Sequence, residues 1–156
     1  MITVNPARKT LITSRVLIGV VLALNLQCAV LFIVTPAVFA PGFELTGVAG
    51  ESMVRGMGIL FLMWNVPYLI ALIHPLARRW SLIEATAMQA IGLAGESLML
   101  MTLPVGHEAL RMTGQRFILF DGGGLVLLSL ALFLTGRMKI WNNDVPSGES
   151  ARSSSG

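Results

Sequence analysis

Four long apolar stretches constrain what this chain can fold into more than any other feature. They cover residues 16–39, 52–73, 82–103 and 117–135. Each holds roughly 19–24 residues, and a helix rising about 1.5 Å per residue needs about 20 of them to cross a bilayer core. A backbone in lipid must satisfy its own hydrogen bonds, and no alternating pattern indicates a barrel. The stretches predict an all-α fold, an integral membrane four-helix bundle.

The composition excludes several other classes of protein. Of the 156 residues, 54% are hydrophobic and only 12% are charged, whereas soluble domains carry about 25% charged residues. The net charge of +3 does not indicate nucleic-acid binding, because the basic residues flank the apolar stretches instead of forming a stripe with aromatics. The lipid bilayer is therefore the predicted partner. A single cysteine, Cys28, excludes an internal disulfide, and the two separated histidines predict no metal site.

The connecting segments divide the chain into three parts. Residues 1–15 are predicted to be a cytoplasmic N-terminal segment, residues 16–137 the membrane domain, and residues 138–156 a disordered cytoplasmic tail because they are polar and rich in Ser and Gly. Pro41-Gly42 is predicted to break the chain after the first span. That span is much longer than the roughly 7–15 apolar residues of a signal peptide, so we expect it to be retained.

The basic residues predict the orientation, because cytoplasmic loops are enriched in Lys and Arg. Three of the 11 basic residues (Arg55, Arg111 and Arg116) fall on one side of the membrane. The other eight fall on the side that holds both chain ends and the second connection: Arg8, Lys9, Arg15, Arg78, Arg79, Arg137, Lys139 and Arg152. Both termini are therefore predicted to be cytoplasmic.

Charged residues inside the apolar stretches are the candidates for function. Arg55, Glu96 and Asp121 each lie within a span, where a central charge costs about 2.5–3.5 kcal/mol and normally pairs. Counted by residue from the outer side, their depths agree within about one helical turn. Glu51 and Arg116 lie just above them. These five residues are predicted to form one charge cluster in the outer half of the bundle, either structural or in contact with a ligand.

Two further sets of residues are predicted to face the bundle interior. Amide and hydroxyl side chains from all four spans should form a deeper polar layer: Asn25, Asn65, Gln89 and Ser129. Glycines that share helix faces with the charged residues should allow close packing or the approach of a ligand: Gly58, Gly92, Gly122, Gly123 and Gly124.

The order of these elements resembles small bacterial four-helix membrane proteins of the DoxX-like type and related families. The resemblance covers about residues 15–137. It rests on an outer loop with Pro41-Gly42 and Gly47, followed by Gly50-Glu51-Ser52-Met53-Val54-Arg55-Gly56-Met57-Gly58 leading into the second span. It implies a multi-pass protein of the bacterial inner membrane, in a group with some members linked to quinone-dependent sulfur oxidation or to redox partners. No catalytic motif accompanies it, and no residue role is transferred.

Several functions remain open on the sequence. The first is a non-enzymatic bundle or accessory subunit held together by the charge cluster. The second is a binding site for a quinone- or lipid-like ligand in the outer leaflet, or a redox-linked membrane subunit. Proton-coupled transport is the third, and the absence of acids along the full membrane depth disfavours it. No catalytic residue and no metal ligand is predicted, and a homo-oligomer or a larger membrane complex is left open by the sequence.

Overall fold

The computed structural model describes the backbone of residues 6–143 and the side chains of residues 7–137. The described chain is all-helical, as predicted. Its elements are α1 (Pro6–Val34), α2 (Pro36–Phe39), a 3-10 turn (Ala40–Phe43), α3 (Gly47–Ile73), α4 (Arg79–Thr102) and α5 (Glu108–Asn143).

The first long helix ends earlier than the sequence pattern predicted. Residues 16–39 do not form one helix, because α1 ends at Val34 and α2 begins at Pro36. Thr35 between them has φ −127° and ψ 51°, in keeping with the steric bias of a residue before proline against helical geometry. The break therefore lies at Pro36, ahead of Pro41-Gly42.

Two other boundaries also differ from the predicted ones. Helix α1 begins at Pro6, inside the predicted N-terminal segment, and α5 continues to Asn143. The first six residues of the predicted tail (138–143) are therefore helical. The rest of that tail, and residues 1–5, lie outside the described residues.

The four long helices pack as a ring of neighbours. Helix α1 contacts α3 and α5, and α4 contacts the same two helices, while the diagonal pairs α1–α4 and α3–α5 make no close backbone contact within residues 6–143. Neighbours run antiparallel: Arg15 near the start of α1 reaches Ile73 at the end of α3, and Arg55 in α3 reaches Ile33 near the end of α1.

Three arginine side chains donate hydrogen bonds to backbone carbonyls at or just after the C-terminal ends of neighbouring helices. Arg15 Nη2 donates to the Ile73 carbonyl at 2.8 Å, and Arg55 Nε donates to the Ile33 carbonyl at 3.2 Å. Arg111 Nη2 donates to the Leu103 carbonyl, just after α4, at 3.3 Å. The last carbonyls of a helix lack intrahelical donors and carry partial negative charge. Each guanidinium therefore satisfies and neutralises a helix end.

The outer surface of the bundle is apolar. Three described helical segments are long and apolar enough to cross a membrane: Ala7–Val34, Gly47–Ile73 and Glu108–Arg137. Only 28%, 22% and 17% of their most apolar windows is buried within the protein, so most of these side chains need a nonaqueous surrounding. These features fit a membrane protein. Helix α4 is not among the three, since it carries Glu84, Gln89 and Glu96.

The interior contains two separate apolar clusters. One gathers Ile18, Tyr68, Leu82 and Leu128 near the end of the bundle where α1 begins. The other is centred on Phe32 and Val54 near the opposite end, and the partly buried Cys28, Phe61 and Phe117 pack against it. The space between the clusters holds a group of polar side chains that includes Asn65, Gln89 and Asp121.

Candidate ligand-binding cavity

A cavity of about 90 Å³ lies between the two apolar clusters. It is large enough for several water molecules or a small organic group. All four long helices contribute to its wall, which combines aromatic rings with polar side chains. The lining residues are Asn25, Cys28, Phe61, Trp64, Asn65, Tyr68, Met88, Gln89, Gly92, Glu96, Phe117, Phe120 and Asp121.

A chain of hydrogen bonds crosses one wall of the cavity and joins three helices. The Tyr68 hydroxyl on α3 donates to Gln89 Oε1 on α4 at 2.7 Å. Gln89 Nε2 in turn donates to Asp121 Oδ1 on α5 at 2.6 Å. Asn25 on α1 interacts with the same Tyr68 hydroxyl. The arrangement fixes the Gln89 amide and the Asp121 carboxyl relative to each other.

Two glycines make room for this chain. A Cβ at Gly92 would collide with Asp121 Oδ2, and a Cβ at Gly124 would lie 2.8 Å from Gln89 Nε2. At each glycine, the absence of a Cβ lets a polar side chain of the facing helix lie directly against the backbone, and we call these two positions glycine seats. One seat is on α4 and the other on α5, so together they set the distance between these helices at the depth of the cavity.

Two polar atoms at the cavity remain unsatisfied. Asn65 Oδ1 and Glu96 Oε2 are buried and have no hydrogen-bond partner, although Asn65 Nδ2 donates to the Phe61 carbonyl at 2.6 Å. Asn65 is only 4% exposed. A buried polar atom without a partner costs about 1–3 kcal/mol. A water molecule, an ion or a ligand in the cavity would satisfy these two atoms.

The cavity unites two groups of residues that the sequence analysis placed in separate layers. Glu96 and Asp121 were expected in an outer charge cluster, and Asn25, Asn65 and Gln89 in a deeper polar layer. All five line one cavity, because Gln89 reaches up to Asp121 across the α4–α5 contact. Ser129, the fourth member of the expected layer, is exposed and lies away from the cavity.

The basic members of the expected charge cluster lie elsewhere. Arg55 is exposed and caps α1, and within residues 7–137 it forms no ion pair with Glu96 or Asp121. The buried face of α3 passes through Val54, which is 0% exposed, so the next residue is rotated about 100° away. Glu51 and Arg116 are likewise absent from the lining. The expected cluster of five charges is therefore corrected to two acids, with no Lys or Arg beside them in the described part of the cavity lining.

The five glycines predicted to allow close packing differ in what an added Cβ would contact. Gly58 packs tightly on α1, where an added Cβ would lie 2.8 Å from the Ala29 carbonyl oxygen. Gly92 and Gly124 form the seats described above. A Cβ at Gly122 would make only ordinary contact with Leu93 at 3.8 Å, and one at Gly123 would meet nothing within 4 Å. Close packing is thus wrong for Gly123, because it points away from the neighbouring helices.

A second polar contact joins the connection after α2 to the start of α5. Glu44 adopts a left-handed conformation with φ 56°. Its Oε2 lies 2.5 Å from His107 Nδ1, and its Oε1 accepts from the Leu110 amide at 3.4 Å. The hydrogen bond from His107 lowers the Glu44 pKa below its ordinary value of 4.5. The carboxylate also lies at the positive end of the α5 dipole.

Sequence reasoning missed the aromatic part of the lining. Phe61, Trp64 and Phe117 form a continuous set, with ring centroids 5.8 Å apart for Phe61–Trp64 and 6.2 Å for Phe61–Phe117. Tyr68 could have been found, since it is the single tyrosine and lies three residues after Asn65 on the same helix face. Phe117 and Phe120 lie within α5, at the start of the predicted fourth span, and no sequence signal directs them toward the cavity.

Among the side chains of residues 7–137, no three His, Cys, Asp or Glu residues converge on a possible metal position. No protein-family model, curated protein or solved structure matches the chain.

Proposed function

We propose that this protein is a multi-pass membrane protein that binds a small amphipathic ligand in the cavity between its helices. In this proposal α1, α3, α4 and α5 all cross the bilayer, and both chain ends lie in the cytoplasm. A bacterial inner-membrane location and a DoxX-like relationship belong to the same proposal. Quinone-like and lipid-like molecules are the ligand classes suggested by the apolar surroundings.

One observation carries the proposal: a partly open cavity whose wall contains two buried polar atoms that have no partner among the described residues. Binding pockets combine mostly apolar lining with a few convergent polar groups. Polar residues at membrane depth that face an internal cavity are functional candidates by default. A ligand with a polar group beside Asn65 and Glu96 would form hydrogen bonds with both unpartnered oxygens and fill the cavity.

The crossing of α4 is supported by how its residues are distributed. Its polar Gln89 and Glu96 face the cavity, while Ile91, Leu98 and Met101 are 71%, 63% and 83% exposed. A helix of 24 residues reaches about 36 Å, which is enough to span the hydrocarbon core. Gln89 and Glu96 thus lower the overall apolar character of α4 while facing the cavity.

A purely structural role is the second candidate, because the Tyr68–Gln89–Asp121 chain joins three helices. In that case the protein would be a non-enzymatic bundle or an accessory subunit of a larger complex. The hydrogen-bond chain explains Gln89 and Asp121. It leaves the unpartnered atoms of Asn65 and Glu96 without a role, which is why we favour ligand binding.

The substitution Asn65→Leu separates the two candidates. Leucine removes a buried acceptor without a partner, so the ligand-free protein should gain about 1 kcal/mol of stability, whereas ligand binding should weaken. Native mass spectrometry of protein purified from membranes would detect a co-purified small molecule. Thermal unfolding with short-chain quinones, quinols and lipids would detect added ligand. Ser129→Leu is the matched control, because Ser129 is exposed and away from the cavity.

Under ligand binding, wild-type protein and Ser129→Leu retain the ligand and its thermal stabilisation, and Asn65→Leu loses both. Under a structural role, Asn65→Leu changes stability without affecting any ligand. An absence of co-purified ligand together with an absence of any thermal shift would reject the proposal.

A further inference from the structure

We propose that the cavity is built for a small organic ammonium ion with an apolar, preferably aromatic, substituent. This inference rests on the proposed ligand-binding function and specifies the chemistry of its ligand. Three features of the wall carry it: the type of its unsatisfied polar atoms, its charge and its aromatic rings.

The unsatisfied atoms are both oxygens. Asn65 Oδ1 is an amide oxygen, which accepts hydrogen bonds, and Glu96 Oε2 is a carboxyl oxygen, which accepts them when the carboxyl is ionised. Asn65 is 4% exposed, so water outside the bundle does not reach it freely. A ligand that satisfies Asn65 Oδ1 together with an ionised Glu96 has to present N–H or O–H donors. The carbonyl oxygens of an oxidised quinone are acceptors and cannot satisfy Asn65 Oδ1.

Among the described side chains, the acids of the wall have no basic counterpart. Glu96 and Asp121 line the cavity together, and within residues 7–137 no Lys or Arg contributes to the lining. Arg55, which the sequence predicted to lie beside these two acids, instead donates to the Ile33 carbonyl. A buried carboxylate is strongly disfavoured unless a positive charge and hydrogen bonds compensate it. An ammonium ion supplies the positive charge and the N–H donors in one group.

The rings of the wall suit the remainder of such a ligand. Phe61, Trp64, Tyr68, Phe117 and Phe120 all contribute to the lining. Aromatic faces attract cations, most strongly at Trp, and desolvation increases this attraction. Flat apolar groups also pack well against such rings. The cavity of about 90 Å³ limits the enclosed part of the ligand to a small group of this kind.

A set of three related probes tests the inference on the purified full chain in lipid nanodiscs. Benzylammonium carries charge and N–H donors, benzyltrimethylammonium carries charge without donors, and benzyl alcohol carries a donor without charge. Binding of each would be measured by isothermal titration calorimetry at neutral pH. We expect benzylammonium to bind about 10- to 100-fold more tightly than benzyl alcohol, as for a charge-assisted hydrogen bond. Benzyltrimethylammonium should bind more weakly than benzylammonium.

The substitution Glu96→Gln should remove most of the preference for benzylammonium while leaving benzyl alcohol binding within about threefold, since only the charge is lost. Glu84→Gln is the matched control on the same helix, because Glu84 is exposed and outside the cavity lining. It should leave all three affinities unchanged. The comparison of probes on the wild-type protein does not depend on the folding of any variant.

The outcomes distinguish this inference from the proposal beneath it. If benzyl alcohol binds as tightly as benzylammonium, or Glu96→Gln leaves the preference intact, the ammonium assignment is wrong and the ligand-binding cavity stands. If none of the three probes binds and quinones, quinols and lipids also cause no thermal shift, the ligand-binding function itself fails.

Discussion

At the scale of single residues, the cavity depends on where a Cβ atom is missing. Gly92 and Gly124 each accept a polar side chain from the facing helix, and these contacts place Asp121 against Gln89. Neighbouring glycines on the same helices have no such role. Gly95 and Gly123 meet nothing within 4 Å of an added Cβ. The chain therefore provides matched pairs of substitutions that differ only in what the new methyl group contacts.

The first pair is Gly92→Ala and Gly95→Ala on α4. The methyl group at position 92 should displace the Asp121 carboxyl and destabilise the bundle by about 1–3 kcal/mol, as overpacking usually does. At position 95 alanine should be neutral or stabilising by about 0.5–1 kcal/mol, because glycine is a poor helix former. Unfolding in detergent micelles measures both. Equal stability of the two variants would contradict the close contact between the Gly92 backbone and the Asp121 carboxyl.

The second pair is Gly124→Ala and Gly123→Ala on α5. Alanine at position 124 should push the Gln89 amide away and break its 2.6 Å hydrogen bond to Asp121. We expect a loss of about 1–3 kcal/mol for this variant. Gly123→Ala should keep wild-type stability or exceed it. Thermal unfolding monitored by circular dichroism would show the difference, and a destabilised Gly123→Ala would argue against the described orientation of α5.

At the scale of helices, the charged residues outside the cavity secure the ends of elements. Arg15, Arg55 and Arg111 donate to carbonyls at or just beyond the C-terminal ends of α3, α1 and α4, respectively. Glu44 binds the N-terminal end of α5. Donors meet helix C-termini and an acceptor meets a helix N-terminus, as the helix dipole favours. The charges thus act on helix ends, where backbone groups lack partners.

The substitution Arg55→Ala tests this role against the alternative in which Arg55 belongs to the predicted intramembrane charge cluster. As a helix cap at an exposed position, Arg55 should contribute about 0.3–1 kcal/mol to the free energy of unfolding. A partner removed from a buried ion pair would instead cost about 3–5 kcal/mol. Equilibrium unfolding would distinguish these values. Arg116→Ala is the control, since Arg116 is exposed and should change stability little. If Arg55→Ala lowers the free energy of unfolding by about 3–5 kcal/mol, Arg55 belongs to a buried ion pair after all.

The Glu44–His107 contact predicts a pH-dependent attachment of the start of α5. The hydrogen bond lowers the Glu44 pKa from 4.5, so its stabilising contribution is complete above about pH 4.5 and is lost as the pH falls through the lowered pKa. Hydrogen exchange of the Leu110 amide, which donates to Glu44, should accelerate over that acidic range. Glu44→Gln should remove this dependence, whereas Glu108→Gln should retain it. Retention of the dependence in Glu44→Gln would contradict the assignment.

At the scale of the whole molecule, the outer surface is more apolar than that of a soluble domain, and part of the interior is polar. Asn65 and Gln89 are each 4% exposed in the interior, while large apolar side chains cover much of the outside. Lipid on the outside makes this arrangement stable, because lipid tails accept apolar side chains and polar groups find partners only within the bundle. In the proposed four-span topology, this arrangement lets α4 cross the bilayer although it carries Gln89 and Glu96, because both line the cavity.

Cysteine labelling tests the crossing of α4 directly. In a Cys28→Ala background, Ala77→Cys and Val105→Cys place a thiol on the exposed connections before and after α4. A membrane-impermeant maleimide added to intact cells should label position 105 from outside, and position 77 only after the cells are opened. Val48→Cys, at the start of α3, should behave like position 105. Labelling of positions 77 and 105 from the same side would reject a fourth span.

The helices were largely predictable from sequence, and their ends were less so. The long apolar runs around Leu22, Leu60 and Leu127 specify helices because backbone groups in an apolar setting satisfy themselves locally. The break at Pro36 was missed because the apolar run continues to Phe39, so hydropathy conceals a local steric effect. The helical continuation to Asn143 was missed because polar composition indicates disorder without excluding a helix that extends from a stable one.

The sequence by itself determined the all-helical class, the apolar surface, and that Glu96, Asp121, Asn65 and Gln89 are polar groups set within apolar helices. These properties follow from composition and from the 3.6-residue period of one helix. Only the tertiary structure decided that these side chains share a cavity, that Arg55 leaves them to cap α1, and that Gly124 but not Gly123 faces a neighbour. Such facts depend on the rotation of each helix about its own axis, where one residue means about 100°. Packing between helices fixes that rotation, and no single helix encodes it.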